Sequence, residues 1–401
     1  MAKEYAAVAA KPIQEERRNL WSRHNSLKPT RPLVLVTYGM WNVWCREVFG
    51  EDTLQSQDPF YREHERSLRI QLFQDTIGDD FILEPWITQR AAVAGEWGNL
   101  WGVTEGAVRP EVEGGAWKFD PPIREWSDVG KLVAPPHNID ERKTAHDVQR
   151  LGDAVGDILE INLDRGPVCQ GFMSDISTDI ARLRGLEQLM IDIYESPREL
   201  HKLLAFMRDG ILANQAAAEA AGDWGLTDQR NQAMVYSDET PWPRPNVRGQ
   251  PRKRLWCHLA AQEYTLISPA HHEEFLLQYQ RPIMANFALS AYGCCEDLTR
   301  KIDMLRSVPN LRHIAVTPRA DVRRCAEQIG KDYVLSWRPN PADMVCCGFD
   351  AARIRRIIRD GLRSARGCFV HVHLKDVETV EGDTSRLARW VEIVRDEADK
   401  L

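Results

Sequence analysis

The last third of the chain repeats one pattern. A short apolar run is followed by a polar break and an amphipathic helix, and the unit recurs at a spacing of about 30 residues, the length of a parallel crossover unit. The spacing predicts strands at Phe287–Tyr292, Leu311–Thr317, Tyr333–Trp337 and Cys368–Leu374. Helices are expected at Glu296–Ser307, Ala320–Ile329, Asp350–Arg363 and Thr384–Glu397. A further helix, His271–Ala285, is opened by Ser268-Pro269, a good cap and first-turn pair. Consecutive strand–helix units close most naturally into a (β/α)8 TIM barrel. The expected fold class is therefore α/β.

The first half is less regular. Leu33–Thr37, Asp80–Glu84, Ile158–Leu163 and Met234–Ser237 read as strands. Glu65–Thr76, Asp140–Gly156 and the block Ile176–Ala221, restarting at Ser196-Pro197, read as helices. Gly106–Trp126 reads as a hairpin excursion turning at Gly114-Gly115. Gln229–Arg254 is polar and rich in Pro, Gly and Arg, and reads as a long loop or lid. No domain boundary stands out, so residues 1–401 are expected to form one barrel domain, with residues 1–30 as a helical N-terminal extension.

Composition narrows the function classes. A net charge of −7, with arginines interleaved among acids, argues against nucleic acid as a partner. There is no apolar run long enough for a membrane span, and the charged first 25 residues do not read as a secretory signal. Nine scattered cysteines are not a disulfide framework, and a reducing cytoplasm is the expected setting. Neither a glycine-rich phosphate loop nor a nucleophile elbow is present. Thirteen tryptophans, many in the N-terminal third, serve either as core filling or as an aromatic lining for a flat or methylated ligand.

The chemistry-bearing stretch is Ala291-Tyr292-Gly293-Cys294-Cys295-Glu296, where an apolar strand runs out. In a parallel α/β protein such junctions carry the chemistry. Thiolates beside a carboxylate can ligate a borderline metal, zinc above all, or simply pack a strand end. His371-Val372-His373 puts two imidazoles on one face of a later strand, toward either the lumen or the helix layer. Lys375-Asp376 end that strand, and Arg338 and Asn340 end another. Asp238-Glu239 follow a short strand and would suit a cationic or phenolic group, or lie solvated in a loop. Cys346-Cys347 read as packing.

Several segments resemble the uroporphyrinogen decarboxylase superfamily: Gln262 to Pro269, Gly78-Asp79-Asp80 with Glu84-Pro85-Trp86, and Trp97-Gly98 ahead of the hairpin. The likeness runs from about Leu33 to the C-terminus and is firmer after Gln262. True decarboxylases of that superfamily carry an arginine-rich loop after the first strand. Here Thr37 to Cys45 is aromatic and uncharged, which disfavours a substrate with many carboxylates. The corrinoid-dependent methyltransferases of the superfamily bind zinc through His-x-Cys at a strand end and a second Cys from a later strand. The matching stretch is Tyr292-Gly293-Cys294, with Tyr in place of His.

The resemblance implies a methyltransferase that moves a methyl group from a small donor, such as a methoxylated aromatic undergoing O-demethylation, to Co(I) of a corrinoid (cobalamin) partner protein. A decarboxylase of a porphyrinogen-like or smaller acid is the alternative. On this reading Tyr292, Glu296 and Asp376 are catalytic, and Tyr38, Trp41, Trp44, Asp238, Arg338 and Asn340 bind substrate. Cys294, Cys295, Glu296 and His373 would hold zinc. A homodimer is compatible with the reading.

Overall fold

The computed structural model describes residues 1–37, 45–94, 100–108, 118–226 and 232–401. Its centre is a six-stranded parallel sheet of β1 (Leu33–Val36), β6 (Trp256–Leu259), β7 (Leu289–Tyr292), β8 (Leu311–Val316), β9 (Val334–Trp337) and β10 (Phe369–Leu374). The strand order is β1-β10-β9-β8-β7-β6. Two more parallel strands, β2 (Trp86–Arg90) and β5 (Glu160–Asp164), pair with each other. The backbone N–H of Asp80 donates to the Val34 carbonyl at 2.8 Å, which ties the approach to β2 against β1. This is an α/β architecture compatible with a barrel, although the strand ladders of the described residues do not themselves complete its closure.

The strands alternate as their sequences dictate. Val34, Val36, Ile314, Val316, Leu335, Trp337, Val372 and Leu374 join the large cluster shared with the helices. Leu33 and Leu35 instead pack with Trp21, Ile82, Met234 and Tyr236 on the opposite face. The helices obey the complementary period. In Ala351–Ser364, Ile354, Ile358 and Leu362 are buried at four-residue steps, each stabilising by about 1.5–3 kcal/mol on full burial. Asp350 caps that helix, accepting from the N–H groups of Ala352 and Arg353. Gly361 lets it sit on β9, because a Cβ there would meet the Trp337 ring at 2.1 Å.

The N-terminal helices cover the start of the strands. From Pro12–Asn25, Trp21 donates its indole N–H to the Asp80 carbonyl at 2.7 Å and packs edge-on to His371 at 5.1 Å. Asn25 donates to the carbonyls of Met234 and Tyr236 at 2.6 and 2.7 Å and pairs with His313 Nε2 at 2.9 Å.

Most expected elements are present within a residue or two; the helix expected at Glu65–Thr76 begins earlier, at Pro59, and four other elements differ. Met234–Ser237 is not a strand, since two of its carbonyls are claimed by the Asn25 side chain. The strand expected at Asp80–Glu84 forms instead after Pro85. The helix expected over Glu296–Ser307 shrinks to Ile302–Leu305. There the Asp297 carboxylate captures the N–H and hydroxyl of Thr299 and holds a turn in place of the first helical turn. Strand β6 was not anticipated from its four residues. The hairpin is present as β3 (Gly106–Val108) and β4 (Lys118–Asp120), with its Gly114-Gly115 turn outside the described residues. No described helix is long and apolar enough to cross a membrane.

Candidate active site

The alternation that buries Val372 and Leu374 among the helices places His371 and His373 on the inner face. One further step along β10 reaches Lys375. The same step leads from Leu35 to Thr37, from Ala291 to Gly293, from Ala315 to Thr317 and from Ser336 to Arg338. The C-terminal rim of the sheet is therefore polar. Gly293 sits at φ +101°, and a Cβ on it would come within 2.9 Å of Leu298 and Ala315. Only glycine lets the chain turn here and present Cys294 and Cys295 at the rim.

Cys294 is buried and its sulfur is surrounded by donors. Lys375 Nζ lies at 3.2 Å, Gln232 Nε2 at 3.3 Å and the Cys295 sulfur at 3.4 Å. The Cys295 thiol, the nearby positive charges of Lys375 and Arg338, and the Gln232 amide together hold Cys294 down at about 6, against the opposing effect of burial. These surroundings favour the thiolate form of Cys294. Cys295, whose sulfur lies against that of Cys294, is driven in the opposite direction, which favours its thiol form. Cys295 is exposed, with Asp376 Oδ2 at 3.9 Å from its sulfur. Asp376 in turn lies 3.3 Å from Lys375 Nζ and adopts φ +57°, a conformation Asp tolerates better than most residues.

Two buried charges fix the loop. Glu296 is fully buried and accepts N–H bonds from Ala261 and Cys294, both at 2.8 Å. Arg338, also buried, donates to the Cys294 carbonyl and, at 3.5 Å, to that of Gly293. Below the rim the inner face is lined with neutral imidazoles. Burial pushes His371 and His373 well below the usual histidine range and lowers His258 to about 3. Thr37 Oγ1 meets His373 Nε2 at 2.7 Å, while His373 Nδ1, both nitrogens of His371, Ser336 Oγ and Thr317 Oγ1 have no partner among the described residues. Buried polar atoms in that number mark a place for ordered water or the polar part of a ligand.

The residues singled out from sequence fare differently. Cys294, Cys295 and Asp376 come together, with Lys375 as the cation that joins them. Tyr292 does not face the rim. It is the outward residue of β7, and its hydroxyl is held between His272 Nε2 and Gln280 Oε1 on the covering helix at 2.8 and 2.7 Å. Glu296 faces backbone amides, so its place is to position Cys294. Arg338 clamps carbonyls, and Asn340 caps the next turn at the Ala342 N–H. Asp238 lies at the opposite end of the sheet, bonded to Ser22 and Lys28, and its neighbour Glu239 pairs with Arg312 near the start of β8. Tyr38, Trp41 and Trp44 lie outside the described residues. Cys169, Cys257, Cys294, Cys295, Cys325, Cys346, Cys347 and Cys368 are not in disulfides.

The expected zinc set does not fit this geometry. Both Glu296 oxygens are committed to the backbone, and His373 Nε2 to Thr37. No three His, Cys, Asp or Glu side chains of the described residues converge on one point. The positive charge facing the Cys294 thiolate is the Lys375 ammonium.

No protein-family model matches the sequence, and no curated protein matches it. Among solved structures the chain is similar to a methyltransferase from Methanosarcina mazei, with a TM-score of 0.53 and 12% identity. The match covers 96% of this chain and 98% of that one, so the likeness is one of overall fold along the whole length.

Proposed function

We propose that the chain is a methyltransferase acting at the C-terminal rim of the sheet. It would take a methyl group from a small donor, a methoxylated aromatic being the class the aromatic stretch around Trp41 and Trp44 suits. The acceptor would be Co(I) of a corrinoid carried by a partner protein, which supplies the nucleophile. The observation that carries the reading is the Cys294–Lys375–Asp376 cluster at the rim, in a fold similar to that of a methyltransferase.

Demethylating an ether requires a proton for the departing oxygen. The Lys375 ammonium, held between the Cys294 thiolate and Asp376, is the proton donor in this reading. Cys294 holds that ammonium in place at 3.2 Å. Glu296 and Arg338 fix the backbone that carries Cys294, so the donor oxygen meets a preset proton. Tyr292, committed to His272 and Gln280, takes no part. The test mixes the purified chain with a Co(I) corrinoid protein and a panel of methyl donors. A methyl-Co(III) spectrum with an aryl methyl ether is the expected result. No such spectrum with any donor would contradict the reading.

A further inference from the structure

The chain has two pairs of adjacent cysteines, and the fold treats them differently. The sulfurs of Cys294 and Cys295 approach to 3.4 Å. For Cys346 and Cys347 no such contact occurs among the described residues; Cys346 is buried and Cys347 exposed. A separation of 3.4 Å is far beyond a disulfide bond, which is about 2.05 Å. It is instead a bite. An atom bonded at about 2.3 Å to each of two sulfurs 3.4 Å apart subtends roughly 95° between them. A tetrahedral ion with bonds of that length would open the sulfurs to about 3.8 Å. An angle near 90° belongs to a pyramidal centre that carries a lone pair, and among soft thiophiles this is trivalent arsenic and its heavier congeners.

We propose that Cys294 and Cys295 form a dithiol site for trivalent arsenicals of the type R–As(OH)2. The inference stands apart from the methyl-transfer reading. Cys295 is exposed and gives the ligand its entry. Cys294 enters as the thiolate facing Lys375. Two As–S bonds form and two As–O bonds break. The two hydroxyls leave as water, taking one proton from the Cys295 thiol and one from the Lys375 ammonium, which regains it from solvent. Arsenic remains trivalent, so no oxidant or reductant is needed. Asp376, 3.9 Å from the Cys295 sulfur, is placed to accept the thiol proton on its way out.

The probe is phenylarsine oxide, which hydrates to the required form, added to the full chain and followed by intact and peptide mass spectrometry. One adduct per chain is expected on the Cys294–Cys295 peptide. It should survive an excess of 2-mercaptoethanol and be released by 2,3-dimercaptopropanol. Cys295→Ser, at an exposed position, should lower retention by about 100-fold or more, because the second bond is intramolecular. Cys294→Ser should do the same, and Cys347→Ser should change nothing. An adduct stripped by the monothiol, one retained by Cys295→Ser, or one mapped to Cys346–Cys347 would each overturn the proposal.

Discussion

The two ends of the parallel sheet are made from the same alternating strands, and they hold their polar groups in different ways. At the N-terminal end a covering helix supplies the partners. Asn25 alone satisfies two buried carbonyls and one imidazole, while Gln14 Nε2, His24 Nε2 and Trp256 Nε1 keep no partner among the described residues. At the C-terminal end the charged groups hold one another: Cys294 faces Lys375, Lys375 faces Asp376, and Asp376 is half exposed. The buried charges behind them, Glu296 and Arg338, are turned to backbone. The contrast shows how one fold divides its work. One end spends polar groups on stability, and the other keeps a reactive thiolate and an ammonium available.

Substitutions at each end should separate the two roles. The largest effect is expected from Asn25→Ala, which orphans three buried groups at about 1–3 kcal/mol each before relaxation. Chemical denaturation should show a loss of about 3–5 kcal/mol. A variant as stable as the parent would mean that the covering helix is not structural.

Glu296→Ala joins the two roles. It removes an acceptor from two backbone amides, so stability should fall by about 3 kcal/mol and methyl transfer should fall with it as Cys294 loses its position. Full activity in this variant would show that the Cys294 loop needs no such anchor.

Lys375→Met should leave unfolding within about 1 kcal/mol of the parent yet lower the methyl-transfer rate by about 100-fold or more, as for loss of a general acid. Steady-state and single-turnover rates would show whether the loss lies in the chemical step. A variant that melted early at unchanged rate would assign Lys375 to structure instead. Smallest of all is Asp238→Ala. The Lys28–Asp238 pair is exposed, so stability should move by under about 1 kcal/mol and methyl transfer not at all. A loss of donor binding there would restore the substrate role its sequence context suggested.

Much of the fold was legible because it rests on period. The two-residue step of His371-Val372-His373 sets the inner face of β10, and extending it once more points to Lys375, which the site needs. The four-residue step of Ile354, Ile358 and Leu362 sets the covering helix. Tyr292 was misread for want of the same rule, since its neighbour Ala291 takes the inner face and leaves the ring outside. Glu296 was not legible as a backbone anchor, because one of its two partners, Ala261, is 35 residues away in sequence. Gln232 sits in an irregular segment with no period to mark it. Met234–Ser237 has strand composition, and only the reach of Asn25 across the fold decides against a ladder.

The state of Cys294 decides between a reactive rim and an inert one. Alkylation by iodoacetamide, followed from pH 4 to 10 and localised to Cys294 by fragmentation mass spectrometry, reads it directly. A thiolate stabilised by the Cys295 thiol and by Lys375 should gain reactivity as pH rises through about 6 and level off above it. Lys375→Met should move that midpoint upward, since it removes a charge that favours the thiolate. A midpoint at about 8.5 in the parent chain, the value of an ordinary cysteine, would contradict the reading.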